Sequence, residues 1–233
     1  MILNRNVGVI MDKELFCQAI IKFVLGVLIV GALLFIPAQS FEYWNGWLFM
    51  GILFIPMFLA GIVLMIKNPE LLRKRLNSKE KETEQKQVLI LSGLMFLSGF
   101  IIAGLNYNFE WIIIPNIIVI VSAILFVITY VLYAEVLREN TYLSRTIEVQ
   151  DNQKVIDTGL YGIVRHPMYA VTILLFLTMP LVLGSIISFC IFLIYPILIV
   201  KRIINEEQVL EKELKGYSEY KQKVKYRIIP FIW

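Results

Sequence analysis

Six long apolar runs with short segments between them constrain this chain more than any other feature. They cover roughly Leu15–Ile36, Trp44–Ile66, Val88–Leu105, Ile112–Leu137, Met168–Leu183 and Ser185–Ile204. A helix needs about 20 mostly apolar residues to cross the hydrocarbon core. In lipid it must also satisfy its own backbone N–H and C=O groups. The first, second, fourth and sixth runs meet that length, and the third and fifth are short. The fifth and sixth are parted only by the Gly184 region after Pro180, and together they are too long for one span. The chain is 17% charged, against about 25% for a soluble domain, which excludes a soluble globule and a disordered chain. The expected fold is all-α: a polytopic membrane bundle of five or six spans, the last two a helical hairpin, with a small cytoplasmic pocket. Residues 1–137 are read as four N-terminal spans and 138–233 as the catalytic region.

The basic residues orient it. All 22 Lys and Arg fall in the N-terminal stretch up to Lys22, in Lys67–Lys86, in Arg138–Arg165 and in Lys201–Arg227. Pro37–Tyr43, Asn106–Trp111 and the Gly184 turn carry none. By the positive-inside rule both termini and the basic loops are expected in the cytoplasm. The net charge of +4 is therefore assigned to topology, and no nucleic-acid partner is expected. Trp44, Trp47, Trp111 and Tyr107 sit at span ends, as interfacial aromatics do. Pro37-Ala38-Gln39-Ser40 could pass for a leader cleavage site. The run before it is long and five more follow, so it is read as a span. Cys17 and Cys190 lie inside apolar runs, so neither a disulfide nor a metal site is expected.

Chemistry is sought on the cytoplasmic face, because the outer loops are too short to build a site. Lys67–Gln87 reads as a solvated, mixed-charge linker. Thr146–Gln150 and Lys154–Asp157 alternate around a turn at 151–153 and predict a short β-hairpin. Gly159-Leu160-Tyr161-Gly162 then leads to Arg165-His166-Pro167-Met168-Tyr169. There Pro167 suits the first helical turn and His166 is the only histidine. Arg202 and Glu206 are spaced to share a helix face at the end of the sixth run, with Glu207 beside them. Leu210, Leu214, Tyr217 and Val224 continue an apolar stripe into an amphipathic tail that folds back on the membrane or the core. Each of these features alone is equally well an interfacial anchor or a surface ion pair. Together they would line a polar pocket opening into apolar spans. Mid-membrane charges are nearly absent, which argues against an ion-coupled carrier.

Gly159-Leu160-Tyr161 followed by Arg165-His166-Pro167-Met168-Tyr169 resembles the first signature of the isoprenylcysteine carboxyl methyltransferase family, whose relatives include phospholipid methyltransferases. Arg202-xxx-Glu206-Glu207 resembles the second signature. Gly216-Tyr217-xx-Tyr220-xx-Lys223-Val224 and Ile229-Pro230-Phe231-Ile232-Trp233 resemble the family's ending. The resemblance covers about Asn140–Trp233. It departs from the family pattern at Leu160, where Pro is frequent, and at Leu143-Ser144-Arg145.

The resemblance implies an integral membrane methyltransferase that uses S-adenosylmethionine and acts on a lipophilic acceptor. It implies cofactor contacts from Tyr161, Arg165, His166, Pro167, Tyr169 and Glu207, with Arg202 and Glu206 catalytic and facing the acceptor. An isoprenylcysteine-type or other small lipophilic carboxylate is the expected acceptor, and a phospholipid amine is the alternative. A carboxylate is already ionised at neutral pH, whereas an amine must first lose a proton to a base such as Glu206. Two further readings stand beside these: an NADPH-dependent membrane reductase, with Arg73-Lys74-Arg75 meeting a phosphate, and a non-enzymatic carrier or assembly subunit. Gly99-xxx-Ala103 is a small-residue pair able to pack helices within one chain or between two, and the oligomeric state is left open.

Overall fold

The computed structural model describes residues 13–76, 83–143, 149–150 and 152–233. Nine α-helices order these residues: α1 (Lys13–Ala38), α2 (Trp44–Lys67), α3 (Pro69–Leu76), α4 (Thr83–Phe109), α5 (Asn116–Glu139), α6 (Pro167–Val182), α7 (Ile186–Phe192), α8 (Ile194–Glu213) and α9 (Tyr217–Lys223). Among the described residues, five helical stretches are long and apolar enough to cross a membrane: Lys13–Ala38, Trp44–Lys67, Lys86–Phe109, Asn116–Glu139 and Ile186–Glu213. Pro167–Val182 is apolar but shorter. The chain is thus a polytopic helical membrane protein, and its last two apolar runs form the expected hairpin. The sixth run is broken between α7 and α8. Pro196 has no N–H to offer Phe192 four residues back, which loosens the ladder there.

Exposure is inverted relative to a soluble protein. Ile21, Leu28, Ile55, Ile90, Ile117 and Val131 are exposed on the spanning helices, where lipid is the solvent. The core between helices is aromatic, with Phe49, Phe126 and Phe192 fully buried. Close approach is local and specific. A Cβ on Gly99 would collide with the Phe192 ring, and one on Gly104 with the backbone oxygen of Leu34. Ala103 is also buried. The small-residue pair therefore packs helices within this chain.

The end of the bundle that holds Gly184 contains the α6–α7 turn. Gly184 has φ +77°, which favours glycine, and Ser185 caps α7 by accepting from Ser188 N–H. The carbonyls left over at the end of α6 find donors on other helices. Tyr43 Oη donates to Leu183 O at 2.6 Å and Asn45 Nδ2 to Val182 O at 3.1 Å. Asn106 Nδ2 donates to Ile112 O at 3.0 Å, and Asn106 Oδ1 accepts from Ile112 N–H at 3.3 Å.

The anticipated β-hairpin is not formed among the described residues. Lys154–Asp157 is irregular, and Gln150 and Gln153 close a turn through Gln153 N–H to Gln150 O at 3.0 Å. Residues 146–148 of the other arm lie outside the described residues. What orders this loop is packing: Val149 and Val155 rest against Leu214, Tyr217, Tyr220 and Val224. The apolar stripe of the tail thus folds back onto a loop of its own chain. The tail is also divided, since Gly216 at φ +88° separates α8 from α9.

Candidate functional site

The site begins at a tight approach. Gly159 adopts φ +51°, and a Cβ there would collide with the Glu139 carboxylate. Thr158 Oγ1 donates to the same carboxylate at 2.7 Å. A short 3₁₀ turn over Gly159–Gly162 then carries Tyr161 inward, where it is buried. Tyr220 Oη donates to Tyr161 O at 2.8 Å, which ties the turn to α9. Pro167 opens α6 with His166 as its N-cap, so the missing N–H of Pro167 leaves no orphan.

Glu207 is the hub of this end. Its side chain is only 4% exposed, and it meets three cationic or imidazole partners. Arg165 Nε donates to Oε1 at 2.7 Å, His166 Nε2 lies 3.2 Å from the same oxygen, and Arg227 Nε donates to Oε2 at 2.9 Å. Arg165 also donates through Nη1 to Val224 O and Lys225 O, both at 2.8 Å. The backbone N–H groups of Arg165 and His166 donate to Tyr226 O and Arg227 O. The C-terminal tail is therefore clipped onto the start of α6 by main chain and side chain together. Burying an ion is costly unless it is paired and fully hydrogen-bonded, and this one is both.

A second chain of polar contacts runs through Tyr169. Arg202 Nε donates to Tyr169 Oη at 2.8 Å, and Tyr169 Oη in turn donates to Glu206 Oε2. The two charged residues sharing a face of α8 are thus bridged by a phenol from α6.

Beside these groups lies a cavity of about 420 Å³. Its polar wall includes Arg165, His166, Tyr169, Arg202 and Glu206, and Tyr161, Tyr217 and Tyr220 add aromatic surface. Its apolar wall is formed by α4 at Val88, Leu89, Gly93 and Phe96 and by Phe176, Tyr195 and Ile199. The Tyr217 hydroxyl is buried and meets no hydrogen-bond partner among the described residues. Burial raises the Tyr161, Tyr217 and Tyr220 phenols above their ordinary range, so all three are neutral at physiological pH. A neutral phenol can donate a hydrogen bond; a phenolate cannot.

Of the residues singled out in the sequence, Tyr161, Arg165, His166, Tyr169, Arg202 and Glu206 border the cavity. Glu207 stands behind the wall, engaged by its three partners, and Pro167 is buried in the first turn of α6. Of the basic triplet Arg73-Lys74-Arg75, named in the sequence only for the reductase alternative, Arg75 of α3 borders the cavity. It donates to Tyr133 Oη and lies 5.5 Å from that ring's centroid. Tyr195, from the middle of an apolar run, also lines the cavity and donates to Thr172 Oγ1 at 3.3 Å. Its only sequence signal is a polar-tipped aromatic in a span.

Residues 111–216 match the model of the phospholipid methyltransferase family, a membrane methyltransferase and reductase family. A stretch of 91 residues, 38% of this chain, is 31% identical to a delta(14)-sterol reductase from Mus musculus. That stretch spans only 22% of the relative's length.

Proposed function

We propose that this chain is an integral membrane methyltransferase that uses S-adenosylmethionine and acts on a lipophilic acceptor, with the site facing the cytoplasm. One observation carries the reading. Two sequence signatures some 35 residues apart converge on a single cavity, which is charged on one side and apolar on the other. A cofactor with a carboxylate, an ammonium, a ribose diol and an adenine suits the polar side, and a hydrocarbon-bearing acceptor suits the apolar side. The family match over residues 111–216 supports methyl transfer, and the Lys and Arg distribution supports the cytoplasmic placement.

The cavity's residues fit the cofactor. Tyr161 and Tyr217 would pack on the nucleoside, with the unpartnered Tyr217 hydroxyl donating to it. His166 and Tyr169 would contact the amino-acid end. Glu207 acts as a positioning residue, since it stands behind the wall and holds Arg165, His166 and the tail, while Arg165 itself borders the cavity. When bound, S-adenosylmethionine supplies a methyl group on a positively charged sulfur. The protein's work is then alignment of the acceptor and exclusion of water. Arg202 would orient an acceptor carboxylate through its planar fork. For an amine acceptor, Glu206 would take the proton. A rate that is flat below neutral pH would identify a carboxylate, and a steep fall there would identify an amine. A small lipophilic carboxylate of the isoprenylcysteine type is the reading we adopt.

The sterol reductase relative and the cavity-lining Arg75 favour one second reading, a reductase in which Arg75 meets a phosphate of NADPH. Calorimetric titration of the purified protein with S-adenosylhomocysteine and, in parallel, with NADPH separates the two. Saturable binding of the first, lost in His166→Ala, is expected. Saturation by NADPH alone would overturn the methyltransferase reading.

A further inference from the structure

Helix α4 (83–109) lies outside the segment matched to the family (111–216), yet it supplies much of the cavity's apolar wall. Its three glycines differ. Gly99 and Gly104 are explained by packing, since a Cβ on either would strike a neighbouring helix. Gly93 is not: an added Cβ would meet nothing within 4 Å. Gly within a helix costs about 1 kcal/mol relative to Ala, and here no close contact accounts for it. Gly51 and Gly61 are equally open, but neither lines the cavity beside Arg202 and Glu206; Gly93 does.

Gly93 and its neighbour Leu89 are exposed on the outside of the bundle while also lining the cavity. The empty space therefore continues from Arg202 and Glu206 to the lipid-facing surface at Gly93. The position is seven residues past Lys86, about 10 Å along the helix at about 1.5 Å per residue. The position thus lies well inside the apolar stretch Lys86–Phe109 that is long enough to cross a membrane. Deeper in the protein the space is closed by rings. Phe96 meets Phe176 edge-on at 4.8 Å between centroids, and Phe176 meets Tyr195 at 4.6 Å.

We infer that Gly93 is a specificity-determining position: the hydrocarbon chain of the acceptor turns aside at the Phe96–Phe176–Tyr195 floor and leaves for the bilayer across Gly93. The inference rests on the methyltransferase reading and adds to it the residue of this chain that lets the acceptor's hydrocarbon reach lipid. A side chain at position 93 closes that exit while leaving the polar wall untouched.

The test uses full-length protein in lipid nanodiscs with S-adenosylhomocysteine. The probes are a long-chain fatty acid carrying a mid-chain diazirine and the alkylamine of the same chain. After irradiation, labelled peptides are read by mass spectrometry. Wild type should be labelled by at least one probe across Leu89–Phe96 above the level at Ile117 and Val121, which are exposed on α5 and report surrounding lipid. Gly93→Leu should lower the α4 label by about tenfold, equivalent to about 1.4 kcal/mol. Gly93→Ala should lower it less, and Gly61→Leu not at all. Label on α4 no higher than on α5, or unchanged in Gly93→Leu, would overturn the inference. S-adenosylhomocysteine affinity, measured on the same samples, should be the same in wild type and Gly93→Leu. Its absence in wild type would instead count against the methyltransferase reading, so the two failures are separable.

Discussion

The two ends of the bundle face the same problem and solve it differently. Each contains a helix start or stop whose unpaired backbone groups must find partners inside the protein. At the Gly184 end the solution is neutral: Tyr43, Asn45 and Asn106 donate to carbonyls of the α6–α7 turn or the α4–α5 loop. At the other end the solution is charged: Glu207 gathers Arg165, His166 and Arg227 at the start of α6. The neutral end also has a cavity, of about 350 Å³, and two of the amides beside it, Asn45 and Asn106, are spent on structural hydrogen bonds. The charged end leaves Arg202, Glu206, Tyr169 and the Tyr217 hydroxyl on a cavity wall. Neutral groups can complete a turn cheaply. Charge in this setting is costly, and its presence in a pocket marks where chemistry is expected.

Five substitutions at four residues break or sharpen that contrast. The largest effect is expected from Glu207→Ala, which strands two buried cationic or imidazole partners. Loss of one member of a buried pair costs about 3–5 kcal/mol, so detergent-resistant folding, followed by thermal unfolding, should be severely reduced. Glu207→Gln should retain more stability but loosen His166 and weaken S-adenosylhomocysteine binding. Next is Asn45→Ala at the opposite end. It leaves Val182 O without its donor, at a cost of about 1–3 kcal/mol. Cofactor affinity should not change; a parallel loss of affinity would show that the two ends are not independent.

Arg202→Lys keeps the charge but removes the planar fork. It should lower kcat/KM by at least about tenfold, the worth of one charge-assisted hydrogen bond of about 1.5 kcal/mol, with little change in melting temperature. Near-normal turnover would argue against a carboxylate acceptor. The smallest effect is Tyr217→Phe. The hydroxyl has no protein partner among the described residues, so stability at neutral pH should be unchanged or slightly higher. S-adenosylhomocysteine binding should weaken by about fivefold, near 1 kcal/mol. The same residue gives a pH signature. Burial raises the Tyr161, Tyr217 and Tyr220 phenols in the folded state, so above about pH 10 the unfolded chain loses protons that the folded chain keeps. Stability is then full below about pH 10 and falls above it. Tyr217→Phe should flatten that alkaline decline.

Much of this was legible in the residues. Hydropathy marked the spans because a helix in lipid must be apolar over about 20 residues. The break at Gly184 was legible because two runs exceeded one crossing. The cavity wall around Tyr161, His166, Tyr169, Arg202 and Glu206 was legible because its motifs are short and local. The β-hairpin expectation failed at Lys154–Asp157 because alternation there serves packing of Val155 against Tyr217 and Tyr220, not strand pairing. Tyr195 escaped because nothing local distinguishes a span tyrosine from its neighbours, and Arg75, marked in the sequence only as one of a basic triplet, needed the fold to set it apart from Arg73 and Lys74 as the member that borders the cavity.

The sequence by itself determined a helical membrane protein with its functional groups gathered at one end, because hydropathy and motif spacing act along the chain. Only the tertiary structure decided which charges face the cavity and which stand behind it. Glu206 and Glu207 are adjacent in sequence, yet successive helical residues point about 100° apart. One borders the empty space, and the other is claimed by Arg165, His166 and Arg227. The difference between Gly93 and Gly99 was settled the same way, by what stands opposite each of them across the bundle.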